Sequence, residues 1–219
     1  MEKMSHFTPT QKLIFDKVRN SDFFRTNFYF TGGTALSEFY LQHRYSEDLD
    51  FFPEKKFGLD IVREKVSLWS KDHKFTFKAE FVEFVYIFIL NFSYGTSLKL
   101  DFGYYPHQRL EKGKMFGNFA VDSLLDIAVN KLSAINQRST VRDFVDLYFL
   151  LDKFTIWDLI EGVRVKFNQE IDYWILGADL GYTVEQFDTL PKMIKPLTLN
   201  RLKNFYRKLA KDLGKRLTE

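Results

Sequence analysis

The chain has no cysteine, only four histidines and no long apolar run. Without cysteine it can form neither a disulfide nor a thiolate metal site, and it has no cysteine nucleophile. The histidines, at positions 6, 43, 73 and 107, include no pair at the spacing of metal ligands. No window approaches roughly 18 uncharged apolar residues, and the opening stretch MEKMSHFTPTQK has no apolar signal segment. We therefore expect a cytoplasmic protein without a membrane partner.

Aromatic residues, in contrast, are abundant. They make up 18% of the 219 residues and include 25 phenylalanines, which predicts an ordered core rich in rings. The length suits one large domain or two small ones. The formal net charge of +3 permits a polyanionic partner without requiring one.

The first part of the chain alternates helical and strand patterns. TPTQKLIFDKVRN at residues 8–20 predicts a helix capped by Thr8, and FRTNFYFTGG predicts a strand that ends at two glycines. TALSEFYLQHR predicts a helix with His43 on its apolar face, and EDLDFF predicts a strand. A helix over residues 57–71 and three strands follow: KFTFKAEF, EFVYIFILNF and SLKLDFGYY. These patterns predict an α+β (α/β) fold, with a mixed sheet flanked by helices.

From about residue 118 the apolar spacing becomes helical. Four segments show this spacing: FAVDSLLDIAVNKLSAI, VRDFVDLYFLL, IWDLIEGVRVKF and LNRLKNFYRKLAKDL. The polar, glycine-containing stretch at residues 108–118 indicates a boundary. We therefore divide the chain into a core at residues 1–117 and a mainly helical C-terminal lobe at residues 118–219, which are two lobes of one enzyme or two independent domains.

Two acids interrupt the EDLDFF strand. Side chains two residues apart in a strand share a face, so Asp48 and Asp50 would project together while Leu49 and Phe51 anchor the strand behind them. Two adjacent carboxylates repel each other unless they are protonated or bridged by a cation. Oxygen-only ligands suit Mg²⁺, which usually takes one or two carboxylates plus substrate phosphates. The alternative is an Asp pair on a solvent-facing strand edge.

A Gly-Gly-Thr turn precedes these acids. Gly32 and Gly33 let the backbone approach a ligand closely, and Thr34 opens a helix whose first N–H groups attract phosphate. Alternatively, the glycines only shape a tight turn and Thr34 is an ordinary N-cap. No Gly-Lys-Ser/Thr follows the glycines, which disfavours a Walker-type P-loop. Together, the turn and the Asp pair would join a phosphate cradle to a metal site.

Two residues further along the chain could complete such a site. Asp101 alternates with the apolar positions of SLKLDFGYY, and it would be a third carboxylate, as metal ligand or base, or a surface residue near a strand end. Lys131 lies at the edge of a helical apolar stripe, where it would meet an anion in a cleft or extend to solvent. Asp126 and Asn130 point away from that stripe, which predicts solvent-facing side chains.

The charges of TVRDFVD also have purely helical interpretations. Asp143 fits a capping box that starts at Thr140. Arg142 and Asp146, four residues apart, would form an ion pair on the helix surface. These patterns alone therefore do not require a functional role for Asp143.

Two further features are ambiguous. His43 shares its predicted face with aromatic residues, which favours a packed or hydrogen-bonded histidine over a catalytic one. The tail from Arg201 to Arg216 carries seven Lys or Arg against the single acid Asp212. A solvated helix face explains this tail, and an RNA-contacting face is the alternative.

Three motifs occur in a fixed order: GGTALSEFYLQHRYSEDLDFF at residues 32–52, Lys131 in AVNKLSAI, and RDFVDLY at residues 142–148. Together they resemble the signature of the AbiEii/AbiGii-type toxin nucleotidyltransferases, a branch of the DNA polymerase β-like nucleotidyltransferase superfamily. The resemblance spans about residues 30–150. No diagnostic motif follows residue 155.

The resemblance implies a nucleotidyltransferase-type core and a set of site residues. Asp48 and Asp50 would bind Mg²⁺ that carries the triphosphate of an NTP, and Asp101 would be the third acid. Lys131 and Asp143 would form a further active-site pair, with Lys131 also near the nucleotide. The residues around the phosphates would be Gly32, Gly33, Thr34, Arg44 and Ser46.

The resemblance also implies the toxin of a bacterial toxin–antitoxin or phage-abortive-infection pair. Such an enzyme transfers a nucleotide from an NTP to an acceptor hydroxyl and releases pyrophosphate. The tRNA 3′ end is the favoured acceptor, a protein or a small molecule such as an antibiotic is the alternative, and the partner would be an antitoxin encoded beside the toxin. Two other classes are a non-catalytic nucleotide-binding module of the same fold, which the retained acids disfavour, and a metal-dependent phosphohydrolase, which the scattered histidines disfavour.

Overall fold

The computed structural model describes residues 6–215 of the chain. Residues 1–5 of the opening stretch and residues 216–219, which include Arg216 of the basic tail, lie outside this range. The described chain divides into two compact units. The sheet unit runs to Tyr40 and resumes over Ser46–Ser123, and the helical unit comprises Leu41–Tyr45 and the chain from Leu124 onward. The change of unit comes after Ser123, whereas the sequence placed it after residue 117.

Within the described residues, the sheet unit contains a seven-stranded mixed sheet. Its strands are β1 Tyr29–Thr31, β2 Leu49–Phe52, β3 Phe75–Val82, β4 Val85–Phe92, β5 Ser97–Gly103, β6 Met115–Phe116 and β7 Phe119–Val121. They lie in the order β3-β4-β5-β2-β1-β7-β6, with β2 parallel to β5, β1 parallel to β7 and the other neighbours antiparallel. Its helices are α1 Pro9–Arg19, α2 Asp22–Asn27, α3 Gly32–Leu36 with a π-helical turn over Ser37–Leu41, and α4 Leu59–His73. The predicted α+β fold with a mixed sheet is confirmed.

The start of α1 follows directly from its sequence. The Thr8 hydroxyl accepts a hydrogen bond from the Gln11 backbone N–H over 3.2 Å, and the Gln11 side-chain oxygen accepts one from the Thr8 N–H over 2.9 Å. This reciprocal capping box satisfies two donors that the helix itself leaves unpaired. Pro9 occupies the first helical position, where its missing N–H costs nothing.

The segment that leads into β1 differs from its prediction. FRTNFYFTGG predicted one strand, but Asp22–Asn27 forms α2 and only Tyr29–Thr31 is a strand. Ser21 occupies the N-cap position in extended conformation, and Asp22 places an acid in the first turn, where the helix dipole favours it. The aromatic residues of this segment favoured a strand, and the start signal at Ser21 and Asp22 agrees with the helix that forms.

Two helix boundaries also differ from their predictions. Phe119–Val121, predicted to begin a helix, forms β7 beside β1, and the helix begins at Leu124. The helix after the Gly-Gly turn ends at Leu41, because Gln42 adopts a left-handed φ of 48°. His43 therefore does not share the apolar face of that helix.

Phenylalanine rings form the core of the sheet unit. Phe51 of β2 is fully buried, and its ring centroid lies 5.1 Å from that of Phe30, 5.6 Å from that of Phe102 and 6.2 Å from that of Phe15. Such ring pairs contribute about 0.5–1.5 kcal/mol each beyond their burial. The ring-rich core expected from composition is confirmed, and it holds one face of β2.

The helical unit packs five helices within the described residues. They are α5 Leu124–Gln137, α6 Val141–Leu150, α7 Ile156–Phe167, α8 Tyr173–Glu185 and α9 Leu199–Lys215. α5 contacts α6 and α7, and α8 contacts α9. The buried Tyr206 hydroxyl of α9 donates a hydrogen bond to the Phe144 carbonyl of α6 over 2.7 Å. None of the helices in residues 6–215 has the length and apolar content needed to cross a membrane.

Replacing Phe51 by Ala should lower the free energy of unfolding by about 3–5 kcal/mol, because the rings around it cannot fill the cavity. Phe84 is the matched control, since 67% of its surface is exposed and truncation there should cost little. Urea unfolding of both variants measures the difference. Equal losses would contradict the assignment of Phe51 to the core.

Candidate active site

The two acids of the EDLDFF segment lie at the start of β2. Asp48 directly precedes the strand, and Asp50 is its second residue. Leu49 and Phe51 are fully buried, whereas both aspartates are partly exposed. The predicted alternation therefore holds: the apolar residues anchor the strand, and the acids lie on the accessible side.

Asp50 has defined neighbours on both adjacent strands. In the antiparallel pair with β1 it lies opposite Thr31, and in the parallel pair with β5 it lies beside Asp101. In-register residues on neighbouring strands have side chains on the same face of the sheet. Asp50 and Asp101 are thus brought together by backbone pairing, although 51 positions separate them in the chain.

The Gly-Gly turn packs directly against Asp50. Gly32 has a left-handed φ of 76°, and a Cβ added there would collide with the Asp50 carboxylate. Only glycine tolerates both conditions without strain. Gly33 follows as the second residue of α3. The turn and the acid strand therefore form one fitted element.

Thr34 does not cap the helix, contrary to one of its two interpretations. The helix begins at Gly32, with Thr31 in the N-cap position and no side-chain cap. The Thr34 hydroxyl instead donates a hydrogen bond to the backbone carbonyl of Asp48. The Thr31 hydroxyl does not cap the helix either, because it donates a hydrogen bond to Asp122 Oδ2 over 2.7 Å. Thr34 therefore ties the turn to the first acid.

Asp101 is buried, which excludes the interpretation as a surface residue. Only 7% of it is exposed. Its Oδ2 accepts a hydrogen bond from the Lys99 ammonium, and its Oδ1 is buried without a hydrogen-bond partner. Burial raises the pKa of the Asp101 carboxyl, and the neighbouring Lys99 charge only partly offsets this. Asp101 therefore keeps one oxygen available to a further cation or proton donor.

The donor chemistry of these acids fits a hard divalent cation. Asp48, Asp50 and Asp101 offer oxygen ligands only, and the unpartnered Asp101 Oδ1 lies on the same strand pair as Asp50. Among residues 6–215, no three acidic or histidine side chains are gathered closely enough to hold a metal ion by themselves. The arrangement therefore suits Mg²⁺, which takes one or two protein carboxylates and completes its shell with water and substrate phosphates.

A second cluster, in the helical unit, is built around the fully buried Asp146. Its Oδ1 accepts hydrogen bonds from Arg44 Nε over 2.6 Å and pairs with His43 Nε2 over 2.7 Å. Its Oδ2 accepts from Arg44 Nη2 over 2.7 Å and lies 2.7 Å from Lys131 Nζ. Burial alone would raise the pKa of Asp146, but the Lys131 and Arg44 charges hold it well below its ordinary value. We call these residues, together with Asp143, the Asp146 cluster.

Asp143 joins this cluster and also contacts Thr140, the N-cap residue of its own helix. Its Oδ1 accepts a hydrogen bond from Lys131 Nζ over 2.8 Å, and its Oδ2 accepts from Thr140 Oγ1 over 2.6 Å. The predicted capping box is formed only in part: the Thr140 hydroxyl accepts from the Asp143 N–H, but the Asp143 carboxylate bonds that hydroxyl instead of the Thr140 N–H. Burial opposes ionisation of Asp143, but the Lys131 charge, together with the hydrogen bonds from Lys131 and Thr140, lowers the pKa of the carboxyl. The structure thus brings the two predicted residues Lys131 and Asp143 together.

The HRYS stretch is shared between the two units. His43 and Arg44 belong to the helical unit, where the His43 carbonyl accepts a hydrogen bond from the Ile194 N–H over 2.9 Å. Ser46 belongs to the sheet unit, and its carbonyl accepts from Gln11 Nε2 over 2.8 Å. Burial and the nearby cations lower the pKa of His43, so the ring is neutral at pH 7. His43 is a packed, hydrogen-bonded residue, as predicted, although the helix ends before it.

Two predicted surface acids are buried. Asp146, assigned to a surface pair with Arg142, is the centre of the Asp146 cluster instead. Asp126, expected to face solvent, is fully buried and pairs with Lys166 over 2.5 Å. A sequence signal existed for Asp146 alone, since it is the second acid of the Arg-Asp-x-x-Asp motif. No local pattern predicts the partner of Asp126, because Lys166 lies 40 positions away in the chain.

Replacing Asp146 by Asn should lower the free energy of unfolding by about 3–5 kcal/mol. The buried charges of Arg44 and Lys131 would then face a neutral amide instead of a carboxylate. Asp179, an exposed residue of α8, is the matched control. Its Asn variant should stay within about 0.5 kcal/mol of the parent protein. Chemical denaturation measures both, and a D146N protein as stable as D179N would show that the cluster is not buried as described.

Replacing Gly32 by Ala should destabilise the protein more than replacing Gly95 by Ala. Both glycines have a left-handed φ, 76° and 83°, so each substitution pays about 1–2 kcal/mol of backbone strain. Only at Gly32 would the new methyl group meet the Asp50 carboxylate, whereas nothing lies within 4 Å of a Cβ on Gly95. Thermal unfolding of the two variants side by side isolates that collision. Identical shifts would mean that Asp50 does not pack against the turn.

Comparison with known proteins places this chain in a family. The family model of the nucleotidyl transferase AbiEii toxin of type IV toxin–antitoxin systems matches residues 16–216. The protein aq_aa25 of Aquifex aeolicus (strain VF5) is 31% identical over 199 residues, which cover 85% of this chain and 87% of that protein.

Two solved structures share the fold. JHP933 from Helicobacter pylori aligns with a TM-score of 0.55 at 21% identity, over 94% of this chain and 91% of its own. A candidate nucleotidyltransferase from H. pylori aligns with a TM-score of 0.58 at 21% identity, over 97% and 98%. The family match and the shared fold agree, and the chain belongs to the AbiEii nucleotidyl transferase toxin family of type IV toxin–antitoxin systems.

Proposed function

We propose that the protein is a Mg²⁺-dependent enzyme that transfers a nucleotide from an NTP to an acceptor hydroxyl. The observation that carries the proposal is the pair of acids at the start of β2, packed against a glycine turn and in register with a buried third acid. Family membership supports the same class of reaction. A fold that only bound nucleotide would not need all three carboxylates on one face.

The carboxylates of Asp48 and Asp50 are the proposed protein ligands of the cation. Bound there, a divalent cation would carry the triphosphate and neutralise charge on the α-phosphate and the leaving group. Gly32 and Gly33 let the backbone come close to the phosphates, and Thr34 fixes this backbone relative to Asp48. The cation and the triphosphate would thereby be held on a rigid part of the backbone, and in-line transfer requires such fixed positions.

The proposed transfer is a single displacement at phosphorus. The acceptor oxygen forms a bond to the α-phosphorus, and the bond from the α-phosphorus to the bridging oxygen breaks. That oxygen keeps the electron pair and leaves as part of pyrophosphate. The acceptor proton passes to Asp101 Oδ1, which has no other hydrogen-bond partner and lies on a carboxyl whose pKa is raised by burial, or to solvent where that oxygen is itself a ligand of the cation.

Four residues have roles that rest on the family resemblance alone. We propose that Arg44 and Ser46 act near the phosphates, and that Lys131 and Asp143 form a further active-site pair. Arg44, Lys131 and Asp143 also hold one another through ion pairs in the helical unit. Their substitution would therefore change stability as well as activity, so they are poor first tests of the mechanism.

RNA is the acceptor that we propose first, with the 3′ end of tRNA as the favoured position. Family membership makes an antitoxin the expected genetic partner, and the use of NTP ties the reaction to the cytoplasm. Four exposed basic residues of α9 lie within about 80° of one another around the helix. They are Arg201, Lys208, Lys211 and Lys215. The acid Asp212 lies at the edge of this stripe, 3.8 Å from Lys215, and the excess of basic residues supports binding to a phosphate backbone.

The test is transfer of label from each of the four NTPs, labelled at the α-phosphate, to total tRNA in the presence of Mg²⁺. The parent protein should label RNA, and D48N and D50N should reduce the rate by about 100-fold or more, since even outer-shell changes at metal sites cost up to that much. D72N is the matched control, because Asp72 is an exposed acid of α4 with the same change of charge. Its rate should equal that of the parent protein.

Each other outcome has a defined meaning. Label on protein or on an added antibiotic, with the same dependence on Asp48, would keep the enzyme class and replace the acceptor. Label on RNA that persists in D48N and D50N would contradict the proposed site. No transfer with any NTP, together with no NTP binding by calorimetry, would exclude the enzymatic function.

A further inference from the structure

Lys99 is a basic residue inside the acidic face of the sheet. It lies on β5 two positions before Asp101, so both side chains point to the same side of the strand. Its ammonium donates to Asp101 Oδ2, and Asp50 and Asp48 are also close enough to act on its charge. None of the sequence motifs contains this residue. It is therefore a positive charge located where the proposed reaction would bring a divalent cation.

The backbone around Lys99 is fixed, whereas its side chain has room to move. Lys99 pairs with Ile89 of β4, and its neighbours Leu98 and Leu100 are buried on the opposite face. The Lys99 side chain itself is 37% exposed. A lysine ammonium on a four-carbon stem can leave one partner by rotation of its own bonds. Release from Asp101 therefore needs no change in the sheet.

The pair between Lys99 and Asp101 is incomplete as a structural ion pair. A buried carboxylate normally has partners for both oxygens, because an unpaired buried charge is costly. Here only Oδ2 is engaged, and Oδ1 is buried without a hydrogen-bond partner. The arrangement is typical of a counter-ion that can be replaced, rather than of a permanent structural ion pair.

We propose that the Lys99 ammonium is the counter-ion of this acidic face in the absence of metal, and that a divalent cation gains Asp101 only by displacing it. The inference rests on the proposed cation site at Asp48 and Asp50. Lys99 is thus a positioning residue: it keeps the acids together before the cation binds and lowers their affinity for the cation.

The test is direct titration of the metal-free protein with Mn²⁺, without nucleotide, followed by the electron paramagnetic resonance signal of the free ion. The K99M variant should bind Mn²⁺ about tenfold more tightly, because the ion no longer has to break the hydrogen bond between Lys99 and Asp101 to reach Asp101. K99R should keep the parent affinity, since it keeps the charge. K71M, which removes a lysine from an exposed position of α4, should also leave the affinity unchanged.

A double substitution separates competition for Asp101 from a general change of charge. In a D101N background, K99M should no longer increase Mn²⁺ affinity, because the residue over which the two cations compete is gone. Thermal unfolding gives a second readout: saturating Mn²⁺ should raise the melting temperature of K99M more than that of the parent protein. This comparison also identifies a variant that has failed to fold.

The failures of the two proposals are distinguishable. If the parent protein binds Mn²⁺ and K99M binds it equally or more weakly, the inference about Lys99 is wrong and the proposed function is untouched. If K99M still gains affinity when Asp101 is replaced, the competition is not for Asp101, and the inference is again overturned. If neither protein binds Mn²⁺, the proposed cation site itself is wrong.

Discussion

Asp50 lies between two strands, with Thr31 of β1 on one side and Asp101 of β5 on the other, and the Gly32 backbone packs against its carboxylate. A side chain at position 32 would occupy the space of that carboxylate. Because the Thr34 hydroxyl also holds the Asp48 carbonyl, the turn, α3 and β2 are joined at two points. The acids are thus held by backbone pairing and close packing, and the phenylalanine core behind β2 prevents the strand from shifting.

In the helical unit, several charged side chains are buried together. An isolated buried charge is strongly unfavourable, so Asp146 is stable only with Arg44, His43 and Lys131 around it. The HR pair and the Arg-Asp-x-x-Asp motif, about a hundred positions apart, therefore belong to one hydrogen-bonded cluster. Part of the family signature has a structural reason, independent of any contact with substrate.

Local physics made some of this molecule predictable from sequence. The alternation around Asp48 and Asp50, the Thr8 cap and the helical stripes all depend on neighbours within a few positions. The in-register pairing of Asp50 with Asp101, the burial of Asp146 and the pair between Asp126 and Lys166 depend on contacts 40 or more positions apart. Periodicity cannot reveal such contacts. It assigned Asp126 to the surface because a charged residue off an apolar stripe is usually solvated, and the spacing of Asp146 from Arg142 suggested a surface ion pair.

A crystal structure with Mg²⁺ and a non-hydrolysable NTP analogue tests the central claim most directly. We predict a metal ion bonded to carboxylate oxygens of Asp48 and Asp50 at about 2.0–2.1 Å, with the triphosphate against Gly32 and Gly33. A nucleotide bound at another surface, or a metal ion that contacts neither aspartate, would contradict the assignment of this face as the active site.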